Sequence, residues 1–120
     1  MSVSIDPAVT ERLVRSGVDQ LKAFSAIGGL VLFGTDVGFY TFSDPSLEFE
    51  LMNQALSEME VLASLTTNPA SYFKATGKGR VEQGFDADLV VLDGDPAANV
   101  RNFTKIVATI RAGRVIYEKP

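Results

Sequence analysis

The sequence predicts an α/β chain in two parts, a helix-rich part over residues 1–77 and a strand-rich part over residues 78–120. Two observations predict this class. Up to Gly77 most apolar residues recur at the three- and four-residue spacing of helices, with one short run that is apolar at every position. After Gly79 they cluster in the short runs that are typical of strands. With 46% hydrophobic and 22% charged residues in 120, the composition is that of an ordinary globular domain.

The composition also excludes several classes of function. Cys and His are both absent, which removes disulfides, thiolate nucleophiles, Ser-His-Asp triads and histidine metal sites from this chain. A formal net charge of −4 leaves no basic surface for nucleic acid. The longest apolar run, Ala26 to Gly34, is far shorter than the roughly 20 residues of a membrane span, and Met1–Pro7 lacks the pattern of a secretory signal. We therefore expect a cytoplasmic protein without a nucleic-acid or membrane partner.

The first predicted element is an amphipathic helix that begins at Pro7. Asp6 is suited to the N-cap, and proline is favoured at the first helical position. The pair Gly28-Gly29 ends the helix. Its apolar stripe needs a surface to cover and consists of Val14, Val18, Leu21, Phe24 and Ile27.

A run that is apolar at every position, Leu30–Phe33, follows this helix and is closed by Gly34. Such a run is typical of a strand buried on both faces of a parallel sheet. Helix, glycine turn and buried strand together predict half of a βα repeat. A polar loop with glycine and aromatic residues comes next, over residues 35–46.

Three more helices are predicted before Gly77. The second begins at about Leu47. Ser57 and Glu60 have the spacing of a capping box and start the third. Asn68-Pro69 starts the fourth, with Asn68 as its cap and proline at the first helical position.

The strand-rich part contains four predicted strands. Arg80–Glu82 is a brief one, and Asp88–Asp93 is ended by a turn that runs into Pro96. Lys105–Arg111 and Arg114–Glu118 are joined at Ala112-Gly113 and predict a hairpin.

Three blocks of the sequence carry short motifs: Leu30–Gly38, which contains Gly-Thr-Asp; Leu62–Ala70, which contains Asn-Pro-Ala; and Gly79–Asp93, which contains Ala-Asp-Leu-Val and leads to the closing Gly113–Tyr117. In this order the blocks resemble the C-terminal end of the metal-dependent amidohydrolase superfamily, especially its imidazolonepropionase-like branch. The resemblance implies a TIM barrel with a small composite β-sandwich domain. Residues 1–77 would then end the (β/α)8 barrel with its last βα repeat, and residues 78–120 would be the C-terminal strands of the β-sandwich.

The resemblance also implies a site. In the family a metal, usually zinc, activates water for attack on a carbon–nitrogen or related bond, and the metal ligands are His residues together with an Asp after the eighth strand. Asp36 matches that Asp, which implies that it is both a metal ligand and the catalytic group that orients the water and takes its proton. From the residues alone, the favoured interpretation of Asp36 is a loop carboxylate that caps a turn, which Gly34 and Gly38 would also suit.

One carboxylate does not make a catalytic zinc site, which needs about three protein ligands. The other acidic residues are interpreted as helix-surface or turn residues: Glu48, Glu50, Glu58, Glu60, Asp86, Asp88, Asp93 and Asp95. We therefore expect zinc or another divalent metal to be a family cofactor that this chain does not bind alone. Phe39, Tyr40 and Phe42 follow Asp36 and are interpreted either as substrate lining or as loop packing.

Two functions are compatible with this sequence. The first is metal-dependent hydrolysis of non-peptide carbon–nitrogen bonds in a small-molecule amide, cyclic or linear, or of a dipeptide-like amide. The enzyme would be one of which this chain is a fragment or one part of an assembly. A barrel of this kind needs about 250 residues, so we expect the missing barrel portion or self-association to cover the Leu30–Phe33 strand. The alternative is a non-catalytic, truncated module that oligomerises or binds a partner, with no metal dependence and tolerance of Asp36→Asn.

Overall fold

The structure, a computed structural model, describes residues 6–36 and 44–120. These residues form four helices and a three-stranded antiparallel sheet, with a 3-10 helix at Val100–Thr104 between the first two strands. The elements in chain order are α1 (Pro7–Ala26), α2 (Ser46–Ala55), α3 (Glu58–Leu65), α4 (Thr67–Tyr72), β1 (Leu89–Leu92), β2 (Ile106–Arg111) and β3 (Arg114–Glu118).

The predicted ends of α1 are confirmed. The Asp6 carboxylate accepts a hydrogen bond from the Ala8 N–H at 2.9 Å, and Pro7 begins the helix. Gly28 lies past the end with φ +82°, a backbone conformation that glycine adopts without a steric penalty. The apolar stripe is largely uncovered by the described residues, since Phe24 is 48% exposed and Ile27 is 84% exposed.

The core is small and lies where α2 packs against α3 and the 3-10 helix. Its buried apolar side chains are Phe49, Met52, Leu56, Val61, Val100 and Phe103. The Phe49 ring lies between two others, with centroids 4.7 Å from Phe33 and 5.1 Å from Phe103. Residues from the helix-rich and the strand-rich parts of the sequence therefore share this core.

The predicted capping box at the start of α3 is confirmed. The Glu60 carboxylate accepts from the Ser57 N–H and hydroxyl, both at 2.8 Å, while the Ser57 hydroxyl accepts from the Glu60 N–H. The Ser25 hydroxyl, at the end of α1, also donates to Glu60 at 3.1 Å. The hydrogen bonds from Ser57 and then Ser25 lower the pKa of Glu60. A local helix cap thus also joins α1 to α3.

The strand predicted at Leu30–Phe33 is not formed, because no strand among the described residues pairs with it. A strand needs a neighbour for its backbone groups. Helices supply two partners instead: the Phe33 N–H donates to the Ser64 carbonyl at 3.1 Å, and the Val31 carbonyl accepts from the Asn68 amide at 2.9 Å.

The prediction that Asn68 caps α4 is wrong. The helix begins at Thr67 with Thr66 at the cap position, so Asn68 lies inside its first turn. Its side-chain amide is used for the bond to Val31, 37 residues earlier in the chain. A long-range partner, which the local pattern does not contain, has taken the side chain away from the helix end.

The predicted hairpin is confirmed. Strands β1, β2 and β3 lie in that order, and Ala112 and Gly113, both at positive φ, connect the last two. The register shifts between Val91 and Leu92 and again between Thr109 and Ile110. The prediction of a brief strand at Arg80–Glu82 is wrong, since these residues lie in the irregular connection between α4 and β1. None of the described helices is long and apolar enough to cross a membrane.

Candidate functional site

Asp36 is the last described residue of a short arm, residues 30–36, that is anchored on the core. The anchor is Phe33, whose ring stacks on Phe49 and whose N–H is bonded to Ser64. Asp36 itself is exposed and has φ +50°, in the left-handed region that few non-glycine residues adopt. The arm therefore presents a carboxylate to solvent three residues from a fixed aromatic contact.

Glu48 is the acidic residue that the structure brings into electrostatic reach of Asp36. It is half-buried in the first turn of α2, and its pKa is raised, mainly by burial and also by the negative charge of Asp36. The sequence interpretation of Glu48 as an ordinary helix-surface charge is therefore incomplete. The stacked rings of Phe33 and Phe49 lie three residues before Asp36 and one residue after Glu48, and no local pattern in the sequence reports that contact.

The described side chains do not supply the full ligand set of a catalytic metal. In residues 6–36 and 44–120 no group of three or more His, Cys, Asp or Glu side chains is placed to hold an ion. Asp36 and Glu48 together are fewer than the three protein ligands of a catalytic zinc site. The described residues by themselves do not make up such a site.

Most of the other acidic side chains that were interpreted as surface or turn residues have visible structural partners. Glu50 pairs with Arg101, and this hydrogen bond lowers the pKa of Glu50. Lys78 lies 2.9 Å from Asp86 and 2.6 Å from Asp88. Asp88 also accepts from the Ala112 N–H at 2.8 Å, so its pKa is lowered first by Lys78 and then by this backbone bond.

These last charges line an open cleft between the α4–β1 connection and the β2–β3 turn. Its walls also include Phe85, Arg111 and Gly113. Lys78 pairs with both Asp86 and Asp88, and Arg111 in the same wall balances the remaining negative charge, so the lining of the cleft carries no net charge to attract a ligand. The predicted aromatic residues after Asp36, namely Phe39, Tyr40 and Phe42, lie outside the described residues.

Comparison with known proteins decides the family. A sequence model of the amidohydrolase family matches residues 2–116. The chain belongs to the amidohydrolase family. It is 29% identical over 115 residues to a putative aminohydrolase of Methanothermobacter thermautotrophicus, covering 84% of this chain and 29% of that protein. It is 32% identical over 98 residues to the dihydroorotase of Ehrlichia canis, covering 68% of this chain and 22% of that protein.

Solved structures of the same family share the fold. A prolidase complexed with N-methylphosphonate-L-proline matches with a TM-score of 0.76 at 26% identity, over 86% of this chain and 26% of that one. A Xaa-Pro dipeptidase with methionine bound in its active site matches with a TM-score of 0.75 at 25% identity, over 85% of this chain and 25% of that one. The superfamily resemblance and the mixed helix and sheet class are confirmed. The chain spans about a quarter of the length of the relatives it matches.

Proposed function

We propose that this amidohydrolase-family chain supplies the last βα repeat of a TIM barrel and the C-terminal strands of the composite β-sandwich. The whole enzyme hydrolyses a carbon–nitrogen bond of a small-molecule amide and uses zinc or another divalent metal. The position of Asp36 carries this proposal. It ends the Gly-Thr-Asp motif, and it is exposed three residues after Phe33, which anchors this segment on the core.

We assign Asp36 to the catalytic and metal-binding site of that enzyme. Its carboxylate is a suitable ligand for a divalent cation. The described residues offer no complete ligand set, so the remaining ligands are assigned to the barrel portion of the enzyme. The branch of the superfamily is proposed to be imidazolonepropionase-like, on the three sequence blocks.

The bond is proposed to be a non-peptide amide, cyclic or linear. Two of the matching structures are named a prolidase and a Xaa-Pro dipeptidase. The substrate panel that tests the proposal therefore contains Xaa-Pro dipeptides beside cyclic and linear non-peptide amides. Hydrolysis of the dipeptides alone would contradict the non-peptide assignment and leave the family reaction class in place.

The test is a chimera in which this chain replaces the matched segment of the Methanothermobacter relative. We expect the chimera to bind a divalent metal and to hydrolyse a member of the panel. Asp36→Asn in the chimera should lower kcat by at least about 100-fold, the lower range for loss of a general base. Asp19→Asn, on the exposed surface of α1, is the matched control and should leave both metal content and rate unchanged.

The 120-residue chain alone is measured in parallel by elemental analysis, with its oligomeric state determined on the same sample. We expect metal near zero per chain. Metal near one per chain that falls in Asp36→Asn would contradict the assignment of the other ligands to the barrel portion. A chimera whose rate is unaffected by Asp36→Asn would contradict the role of Asp36.

A second candidate function is a non-catalytic module that associates through its apolar surface. It is favoured by the exposure of large apolar side chains, among them Ile27 at 84% and Val115 at 60%. This candidate requires that association be unaffected by Asp36→Asn and that no member of the substrate panel be hydrolysed by the chimera.

A further inference from the structure

Three phenylalanine rings form a stack that joins the arm carrying Asp36 to the strand-rich part of the chain. The Phe49 ring of α2 is the central one: its plane lies 6° from that of Phe33 and 25° from that of Phe103. Phe49 is 4% exposed and Phe103 is 9% exposed. Close-packed side chains transmit a displacement, because protein interiors have few voids to absorb it. A shift of Phe103 is therefore passed to Phe33, three residues before Asp36.

The stack lies on the face of the arm that the helices cover. Val31 and Phe33 pack against the core, whereas the alternate residues Leu30 and Leu32 are 44% and 38% exposed. This alternation is that of an extended chain, whose successive side chains point to opposite faces. In a TIM barrel the helices cover the outer face of each strand, and neighbouring strands pair with its backbone at the edges. The ring stack thus uses a face that the barrel portion of the enzyme leaves to the helices of this chain.

Phe103 is held firmly within the strand-rich part. The neighbouring Asn102 is 8% exposed, and its side-chain amide donates to the Asp95 carbonyl at 2.8 Å. The Asp93 N–H donates to the Lys105 carbonyl, also at 2.8 Å. These two bonds lie on either side of Phe103 in the chain, so the 3-10 helix that carries the ring is fixed to the turn that follows β1.

Polar contacts place the same 3-10 helix on α2. Arg101 pairs with Glu50, and the hydroxyl oxygens of Ser46 and Thr104 lie 3.5 Å apart. The side chains of Arg101 and Glu50 are 56% and 37% exposed, and ion pairs of this exposure contribute little to stability. These contacts orient the 3-10 helix, and we expect the buried rings to carry its coupling to the arm.

We propose that Phe103 is a positioning residue for Asp36 and acts on it through Phe49 and Phe33. The strand-rich part thereby supports the candidate site by packing. A catalytic group is sensitive to such support, because a misplacement of about 1 Å can lower a rate about 100-fold. The inference rests on the proposed role of Asp36, and its test separates the two.

The experiment compares Phe103→Leu with Val100→Ala in the chimera with the Methanothermobacter relative. Val100 is the matched control, since it lies in the same 3-10 helix, is 6% exposed and belongs to the same core without being a ring of the stack. Both substitutions should lower the midpoint of thermal unfolding. Only Phe103→Leu should weaken metal binding and lower kcat at saturating metal, by about tenfold or more, with KM changed by less than about twofold.

A double variant tests the route through the rings. Once Phe33→Leu has removed the ring at the other end of the stack, Phe103→Leu should have no further effect on kcat. An undiminished effect of Phe103→Leu in the Phe33→Leu background would overturn the proposed route. If Phe103→Leu does not fold, Phe103→Met takes its place, because it also removes the ring and its flexible side chain fills irregular gaps.

The amide resonances of the 120-residue chain give a readout that does not depend on activity. In nitrogen–proton correlation spectra Phe103→Leu should shift the resonances of Gly34 and Asp36, and Val100→Ala should leave them in place. Unshifted arm resonances in Phe103→Leu, or an equal loss of kcat in Phe103→Leu and Val100→Ala, would overturn the proposal.

Failure of the proposed function has a different signature. It would give a chimera that is inactive or whose rate is unaffected by Asp36→Asn. The spectra of the 120-residue chain would then still decide whether Phe103 positions the arm.

Discussion

Asn68 shows at the scale of one residue how a local pattern and a long-range contact compete. An Asn-Pro pair is suited to a helix start because the amide can cap and proline fits the first turn. The structure uses the amide elsewhere, to donate to the Val31 carbonyl at 2.9 Å. That bond holds the arm carrying Asp36 against α4, so the residue positions the arm and does not cap the helix.

Asn68→Ala is therefore expected to lower the free energy of unfolding by about 1 to 2 kcal/mol, since the half-buried Val31 carbonyl loses its donor. Asn68→Asp, which keeps the shape and removes the donor, should lower it as well. Urea denaturation measures both. Gln83→Ala, in an exposed turn, is the control and should stay within about 0.5 kcal/mol of wild type. Equal stability of Asn68→Ala and the control would contradict this role.

Gly79 belongs to the scale of elements, because it sets the close approach of the α4–β1 connection to α4. Its φ is +80°, and a Cβ there would lie 2.7 Å from the Thr66 carbonyl oxygen and 2.9 Å from Ala70 Cβ. Gly77 has nearly the same φ, +75°, and open space around it. Alanine substitutions at the two glycines therefore separate the energetic cost of the backbone conformation from the cost of a steric clash.

Gly79→Ala should destabilise the chain by more than Gly77→Ala. Both variants lose about 1 to 2 kcal/mol from the left-handed conformation, and only Gly79→Ala adds a clash with helix backbone. The difference in the midpoint of thermal unfolding measures the clash directly. Equal midpoints would show that α4 shifts freely to admit the methyl group.

At the scale of the whole molecule, the buried apolar side chains of the described residues form one small core. Among the described residues, the core consists of six buried apolar side chains, of which Phe49 is one, while α1 and the sheet leave large apolar residues exposed. The rings that stack on Phe49 come from positions as far apart in the sequence as Phe33, which is partly buried, and Phe103. The stability of the fold is thus concentrated where α2 meets α3, the arm and the 3-10 helix.

Phe49→Ala should lower the free energy of unfolding by about 3 to 5 kcal/mol or abolish cooperative unfolding, since it empties the centre of the aromatic stack. Phe73→Ala is the matched control. Its ring is 72% exposed and meets only Tyr72 edge to face among the described rings, so the loss should be at most about 1 kcal/mol. Similar losses in the two variants would mean that the core lies elsewhere.

Short-range sequence patterns were sufficient to predict much of this fold. The cap at Asp6, the capping box of Ser57 and Glu60, and the hairpin at Ala112-Gly113 each depend on residues within a few positions of one another. The order of three short sequence blocks was sufficient to identify the superfamily, and the first block indicated Asp36 as the candidate site residue. No observation on the described residues tests the role of Asp36, which stays a prediction.

Most of the local elements and the family could be predicted from the amino-acid order, because caps, turns and motif order lie in neighbouring residues. The folded chain settled what the Leu30–Phe33 run becomes, since a strand exists only beside a partner and helices supplied the partners here. It also decided that Asn68 holds the arm and that Glu48 lies near Asp36. Each of these results depends on a contact between residues more than 10 positions apart, and hydrophobic period carries no information on such contacts.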